Sequence, residues 1–160
     1  MEPIIYALIE DTRNQVGKHK NIHRYCEEHG IKIVRSKLLV GDYMLTGEGT
    51  GGISVDTKMD VGELAACCHT GHERFRNELI RAKECGIQLI VLTEEVLPEG
   101  RLDKWKSPIG RDGQPKYKFD PVALRKSLIT MQERYGVKFR FCDGRSTGKV
   151  LLAYLKGDLK

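Results

Sequence analysis

The 160-residue chain contains no long apolar run, no CxxC pair, and only one tryptophan within an aromatic content of 7%. No apolar stretch approaches the ~18–20 residues that cross a bilayer, so no membrane partner is expected. The opening MEPIIYALIED lacks a basic segment before its apolar run and meets Glu10-Asp11 directly after it, which speaks against a secretory signal peptide. The cysteines are five, an odd number, and Cys67 and Cys68 are adjacent. A disulfide framework or zinc knuckle does not fit that pattern. Reduced, mostly buried thiols in a cytoplasmic protein are expected, nucleoid-associated if the source is bacterial. No GK[ST] follows the glycines of GEGTGG at 47–52, so neither a P-loop nor a nucleotide cofactor is expected. The absence of HExxH and of PCxxC removes the zinc peptidase and zinc deaminase classes.

What is present is enough for one domain with its own core, spanning 1–160: 40% hydrophobic and 31% charged residues. The 27 Lys and Arg against 22 Asp and Glu leave a net charge of +5, which permits a polyanionic partner without requiring one.

Periodicity divides the chain into alternating elements. IIYALI at 4–9 is a short β-branched run that reads as a buried strand ending in carboxylates. Residues 16–29 carry Ile22, Tyr25 and Cys26 at helical spacing, with Gly30 placed as a C-terminal stop. Residues 31–39 alternate, Tyr43-Met44-Leu45 resumes an extended pattern, and ISVDTK at 53–58 forms a further strand. Short turns between these three suggest an antiparallel meander, with GEGTGG as a hairpin-like loop. Two helices follow, around 64–68 and 75–82. IQLIVL at 87–92 reads as a central strand. Asp120-Pro121 begins a helix that Gly136 stops, VKFRFC at 137–142 is a strand, and 148–155 is a last helix. Strands interleaved with helices indicate an α/β sandwich with a mixed sheet.

Three carboxylate-bearing segments carry the chemistry. Asp11 closes the first strand, Asp42 follows Gly41 in a turn, and Asp56 and Lys58 lie two apart on one strand, hence on one face. Converging carboxylates repel unless a cation lies between them, and oxygen-only donors favour Mg²⁺ or Mn²⁺. An ammonium beside such a metal orients water and offsets charge on a phosphate. The structural alternative also stands at this level: Asp accepts local backbone hydrogen bonds at turns, and Asp-x-Lys is common on solvated strand faces.

The ordered set LLVGDYML, VDTK, HERFRNELIRA and IQLIVLTEE resembles the nuclease domain of XPF-type structure-specific endonucleases, within the PD-(D/E)xK nuclease superfamily. IEDTR supplies Asp11 and Arg13, the GDY turn supplies Asp42, and VDTK stands where the family has E-R-K. Asp56 thus replaces Glu, Thr57 replaces Arg, and Lys58 matches the Lys. Arg74 matches the helix Arg, and Glu78 stands at the usual Gln. The acidic position that follows falls on Asp60 or Glu63. The resemblance implies a restriction-endonuclease-like three-layer α/β/α sandwich with a mixed central sheet. It further implies a DNA endonuclease dependent on Mg²⁺ (or Mn²⁺), acting on duplex or branched DNA. Asp11, Asp42 and Asp56 would hold the metal. Asp42, Asp56, Lys58, Arg74 and Glu78 would be catalytic, and Arg13 a phosphate contact. With no helix-hairpin-helix or helicase segment in the chain, it reads as a free-standing domain of the phage or bacterial kind. Family nuclease domains commonly pair, so a homodimer is expected, with Val150, Leu151, Tyr154 and Leu155 as either its surface or core. A non-catalytic DNA-binding scaffold of the same fold and an RNA-directed phosphodiesterase are the alternatives.

Further expectations concern the periphery. His72 adjoins the site helix and is a phosphate-contact candidate. The region 98–120 is a basic loop insertion in which Lys104, Trp105, Lys106, Arg111 and Lys116 are candidates to grip a phosphate backbone and stack on a base, or else to pack on the domain. His19 and His23 read as a solvated helix face, and Glu10 and Glu94 as carboxylates flanking the site.

Overall fold

The computed structural model describes residues 6–46 and 52–160. The GEGTGG loop, apart from Gly52, and the first residues of IIYALI lie outside them. Six strands form one mixed sheet in the order β2-β1-β3-β4-β5-β6. The strands are β1 (Ala7–Glu10), β2 (Lys32–Arg35), β3 (Tyr43–Leu45), β4 (Ile53–Lys58), β5 (Gln88–Thr93) and β6 (Lys138–Phe141). The helices are α1 (Lys20–Glu28), α2 (Val61–Cys68), α3 (His72–Glu84), α4 (Pro121–Tyr135) and α5 (Thr147–Lys156).

The sheet has two apolar faces, and each is covered. On one, Leu8, Tyr43, Val55, Ile90 and Leu92 meet Ile22 and Cys26 of α1 and Leu151, Leu152 and Leu155 of α5. On the other, Leu89 and Val91 meet Leu64 of α2, Phe75 and Leu79 of α3, and Leu124 and Leu128 of α4. This is the three-layer α/β/α sandwich that the resemblance implied. The central β5 is buried on both sides, which is why its sequence is an unbroken apolar run instead of an alternation. Leu151, Tyr154 and Leu155 are core residues, so they do not form a pairing surface.

Three expectations are corrected. The meander does not form. β2 pairs parallel with β1, and β3 pairs antiparallel with the other side of β1. The cause is α1, which joins β1 to β2 and returns the chain parallel in a βαβ unit. The alternating run also ends at Arg35, short of Leu39, because Leu38 is drawn away: its N–H donates to Asp11 Oδ1 at 2.8 Å, and its carbonyl accepts from Arg13 Nη2 at 3.0 Å. The first helix likewise starts at Lys20, not Val16, since Gly17 adopts φ 78°, which no right-handed helix accommodates. Elsewhere the punctuation operates as expected. The Asp120 carboxylate accepts from Val122 N–H at the start of α4, and Gly136 ends it at φ 73°.

Helices α1 and α5 pack closely enough that a Cβ at Gly148 would lie 2.5 Å from Tyr25 Cβ. Gly148→Ala is therefore expected to cost roughly 1–3 kcal/mol through forced separation of the two helices. Thermal unfolding should show the melting point falling by several degrees; an unchanged value would mean the contact is soft.

Candidate active site

Backbone hydrogen bonds bring the three aspartates together. Asp11 N–H donates to the Asp42 carbonyl at 2.8 Å, and Asp42 N–H donates to the Val55 carbonyl at 2.8 Å. Gly41 makes the turn that permits this: its φ is 73°, and a Cβ there would fall 2.1 Å from Ser54 Oγ. Asp42 is then fixed by Thr57, whose N–H and hydroxyl both donate to Oδ2 at 2.8 Å. Thr57 occupies the position where the family has Arg, and its role is to hold Asp42.

Asp56 lies next on β4 and is only 6% exposed. Burial, and then the negative charge of Asp42, push its carboxyl up to about 7, although Lys58 opposes the shift. Lys58 shares the strand face, as the two-residue spacing required, and places Nζ 3.0 Å from Asp56 Oδ2. Burial alone would lower the Lys58 pKa; the Asp56 carboxylate outweighs this and raises it, so the ammonium stays charged. Glu78 on α3 is raised by burial and by Asp56, and its Oε1 accepts from Gly41 N–H at 2.9 Å. The helix carboxylate thus clamps the turn that carries Asp42.

These groups surround a cleft of about 680 Å³ lined by Asp11, Arg13, Asp42, Asp56, Arg74 and Glu78 together with Asn14, Gly41, Glu73, Asn77 and Arg81. The structure gathers six of the expected residues there. Lys58 does not line the cleft and reaches it only through Asp56. Asn77 and Arg81 were not anticipated, yet the signal was available: Arg74, Asn77, Glu78 and Arg81 recur at i, i+3, i+4 and i+7, one face of α3. Arg81 also donates to the Leu39 carbonyl at 3.1 Å, tying α3 to the loop before β3.

Asp11 lines the cleft and also carries two hydrogen bonds of its own. Its Oδ1 accepts from Leu38 N–H and its Oδ2 from Arg13 Nε at 2.7 Å. Burial acts to raise its pKa, but these bonds outweigh it and keep Asp11 ionised below the usual range. Both of its oxygens are thus engaged in holding Arg13 and Leu38.

Other candidates lie elsewhere. His72 faces a different groove, on the opposite flank of α3. Trp105 is 6% exposed, stacks on Phe119 at 4.9 Å between ring centroids, and donates through Nε1 to Glu95, so it is packed on the domain and does not serve as a platform for bases. Lys104, Lys106, Arg111 and Lys116 are exposed and line no part of the cleft. Asp60 caps α2 through Glu63 N–H and accepts from the Tyr117 hydroxyl, and Glu63 accepts from Met59 N–H. Both are used structurally. Glu10 is not a solvated flanking carboxylate: it is 1% exposed and bonded to Tyr43, His23 and Arg35. His23 is therefore not on a free helix face, and His19 packs edge-on against Tyr43.

The donor chemistry of the cleft fits a small divalent cation bound by two carboxylates. Asp42 is close enough to raise the cost of ionising Asp56, and Thr57 occupies only one oxygen of Asp42. Mg²⁺ commonly takes one or two protein carboxylates and completes its shell with water and phosphate. Among the described residues no cluster of three or more His, Cys, Asp or Glu side chains suited to hold a metal is present.

The ERCC4 domain model matches residues 11–155. XPF from Aeropyrum pernix superposes with a TM-score of 0.62 at 18% identity over 94% of this chain and 63% of that one. The same protein in complex with DNA gives 0.62 at 18%, over 95% of this chain and 64% of that one. The chain thus spans less than two thirds of the length of these structures. No curated protein matches it.

Proposed function

The chain belongs to the ERCC4 domain family, and from that membership we propose that it is a divalent-metal-dependent endonuclease hydrolysing phosphodiester bonds in duplex or branched DNA. The observation that carries this reading is the convergence of the half-buried Asp42 on the buried Asp56, beside a charged lysine, at a cleft that Arg74 and Arg81 also line. Buried carboxylates of one sign are costly unless they serve a cation.

Asp42 and Asp56 are the residues that would hold Mg²⁺ or Mn²⁺, which when bound supplies a Lewis acid and an acidified water to phosphodiester hydrolysis. The remaining work belongs to the side chains. Lys58 opposes the upward shift of Asp56 and offers an ammonium to the charge that grows on the scissile phosphate. Glu78 fixes the Gly41-Asp42 turn. Thr57 sets the orientation of Asp42. Asp11 holds Arg13 at the cleft edge, where Arg13 and Arg74 present guanidinium forks to phosphate oxygens.

A panel of labelled flap, fork, junction and linear duplex DNA, incubated with Mg²⁺, Mn²⁺ or EDTA, tests the proposal. Metal-dependent cuts within at least one substrate, silent in EDTA, are expected. Binding without cutting in every arm would assign the chain to the non-catalytic scaffold class, and preferential cleavage of RNA in competition would reassign its substrate.

A further inference from the structure

Between α3 and α4 lies a second groove, of about 320 Å³, that the proposed chemistry does not use. Its banks are basic. His72 and Arg76 stand at i and i+4 on α3, and Lys126 and Arg134 stand at i and i+8 on α4. All four side chains are exposed, none is in an ion pair among the described residues, and no Asp or Glu lines the groove. Its floor is apolar: Phe75 and Leu79 are buried, and Met131 and Tyr135 half-buried.

We propose that this groove binds one strand of single-stranded DNA, with phosphates on Arg76, Lys126 and Arg134 and a base lying against Met131 and Tyr135. Uncompensated cations in two rows match a line of phosphates, and an apolar floor with an aromatic edge is the surface on which unpaired bases rest. The groove holds about 320 Å³, room for a short stretch of one strand and too little to enclose a duplex.

The placement on α3 gives the groove its relation to the cleft. Arg74, Asn77, Glu78 and Arg81 face the cleft, whereas His72, Phe75, Arg76 and Leu79 face the groove. One helix, about 10 Å wide, separates the two, a span that a few nucleotides of an unpaired strand cover. An unpaired arm leaving the cleft can therefore cross α3 and enter the groove. That the bound strand is an arm of the cleaved substrate rests on the nuclease reading; strand binding itself does not.

The test separates the two. Fluorescence anisotropy of a labelled 15-mer oligo(dT), with the full chain in EDTA, measures binding with cleavage switched off. Lys126→Glu/Arg134→Glu is expected to weaken binding tenfold or more and to flatten the dependence of log K on log salt by about 1.4, at ~0.7 per lost phosphate contact. Lys106→Glu/Arg111→Glu, the same charge change outside both cleft and groove, should bind as the parent does. Lys126→Gln/Arg134→Gln provides the same comparison if the reversed charges impair folding. In cleavage, the groove variants should cut linear duplex at the parental rate and cut forks more slowly. Binding and salt slope unchanged within twofold in both double variants overturn the proposal. So does displacement of the oligonucleotide by polyglutamate at equal charge concentration, which would assign the groove to an acidic protein segment. If the parent cuts no DNA but binds oligo(dT) with the expected dependence, the nuclease reading fails and the groove assignment stands. Cleavage with charge-insensitive binding gives the reverse.

Discussion

Asp56→Asn is expected to slow metal-supported DNA cleavage by on the order of a thousandfold while leaving the fold intact. The loss corresponds to several kcal/mol of metal-borne transition-state stabilisation, at about 1.4 kcal/mol per tenfold in rate. Stability should move the other way. The Asp56 carboxyl is raised to about 7 by burial and by Asp42, so the folded chain binds this proton more tightly than the unfolded one does. Its contribution to stability is then fully present below the ordinary aspartate range and is lost as pH rises through about 7. The amide cannot ionise and escapes that loss. In EDTA, the melting temperature of Asp56→Asn relative to the parent should increase between pH 5 and pH 8. Added Mg²⁺ should raise the melting temperature of the parent and have little effect on the variant. A flat difference across that range would show that Asp56 is not the strained group; parental cleavage by the variant would remove it from the chemistry.

The second large effect lies on the other face of the sheet. Glu10 is 1% exposed at the end of β1 and accepts from the Tyr43 hydroxyl at 2.6 Å, from His23 Nε2 at 2.7 Å and from Arg35. Burial acts to raise its pKa, but the bonds from Tyr43 and His23 and the charge of Arg35 outweigh it, so Glu10 is held ionised below the usual glutamate range. Glu10→Ala would leave a buried tyrosine hydroxyl and a half-buried guanidinium without their common acceptor. The expected cost is about 3–5 kcal/mol, or a drop in melting temperature on the order of 10 °C for a domain of this size. Tyr43→Phe removes only one donor and should cost about 1 kcal/mol. Because the Glu10 pKa is depressed, the difference between parent and Glu10→Ala should be full above the ordinary glutamate range and shrink as pH falls below it. Chemical denaturation at pH 7 and pH 3.5 measures both. A loss below 1 kcal/mol at pH 7 would mean that solvent replaces the carboxylate at little cost.

Glu10 and Asp11 show how neighbouring residues of one type diverge. In the sequence they are an acidic pair at a strand end. Successive strand residues point to opposite faces, so Glu10 enters the α1 side and Asp11 the cleft. Only the positions of Tyr43, Arg35 and Leu38, all distant in the chain, and of the nearby Arg13 decide that one ties the core together and the other fixes an arginine.

Local pattern determined the elements whose cause is local. The central strand β5 was legible from its continuous apolar run, α4 from Asp120-Pro121 and Gly136, and the shared face of Asp56 and Lys58 from the two-residue strand period. The GDY turn was legible because a glycine before an aspartate has few other uses. Strand order was not legible, because periodicity says which face a strand buries and nothing about its neighbour. β2 lies on the far side of β1 from β3 because a helical crossover enforces parallel pairing. The fate of Trp105 was equally open. A tryptophan among lysines serves a stacked base or a packed core by the same composition, and Phe119 and Glu95 settle it by enclosing the ring. The modest net charge of +5 is in the sequence. Its division into an acidic cleft floor and, one helix away, a basic groove without acids is set by the tertiary structure, because helix α3 turns alternate charged residues toward two different partners.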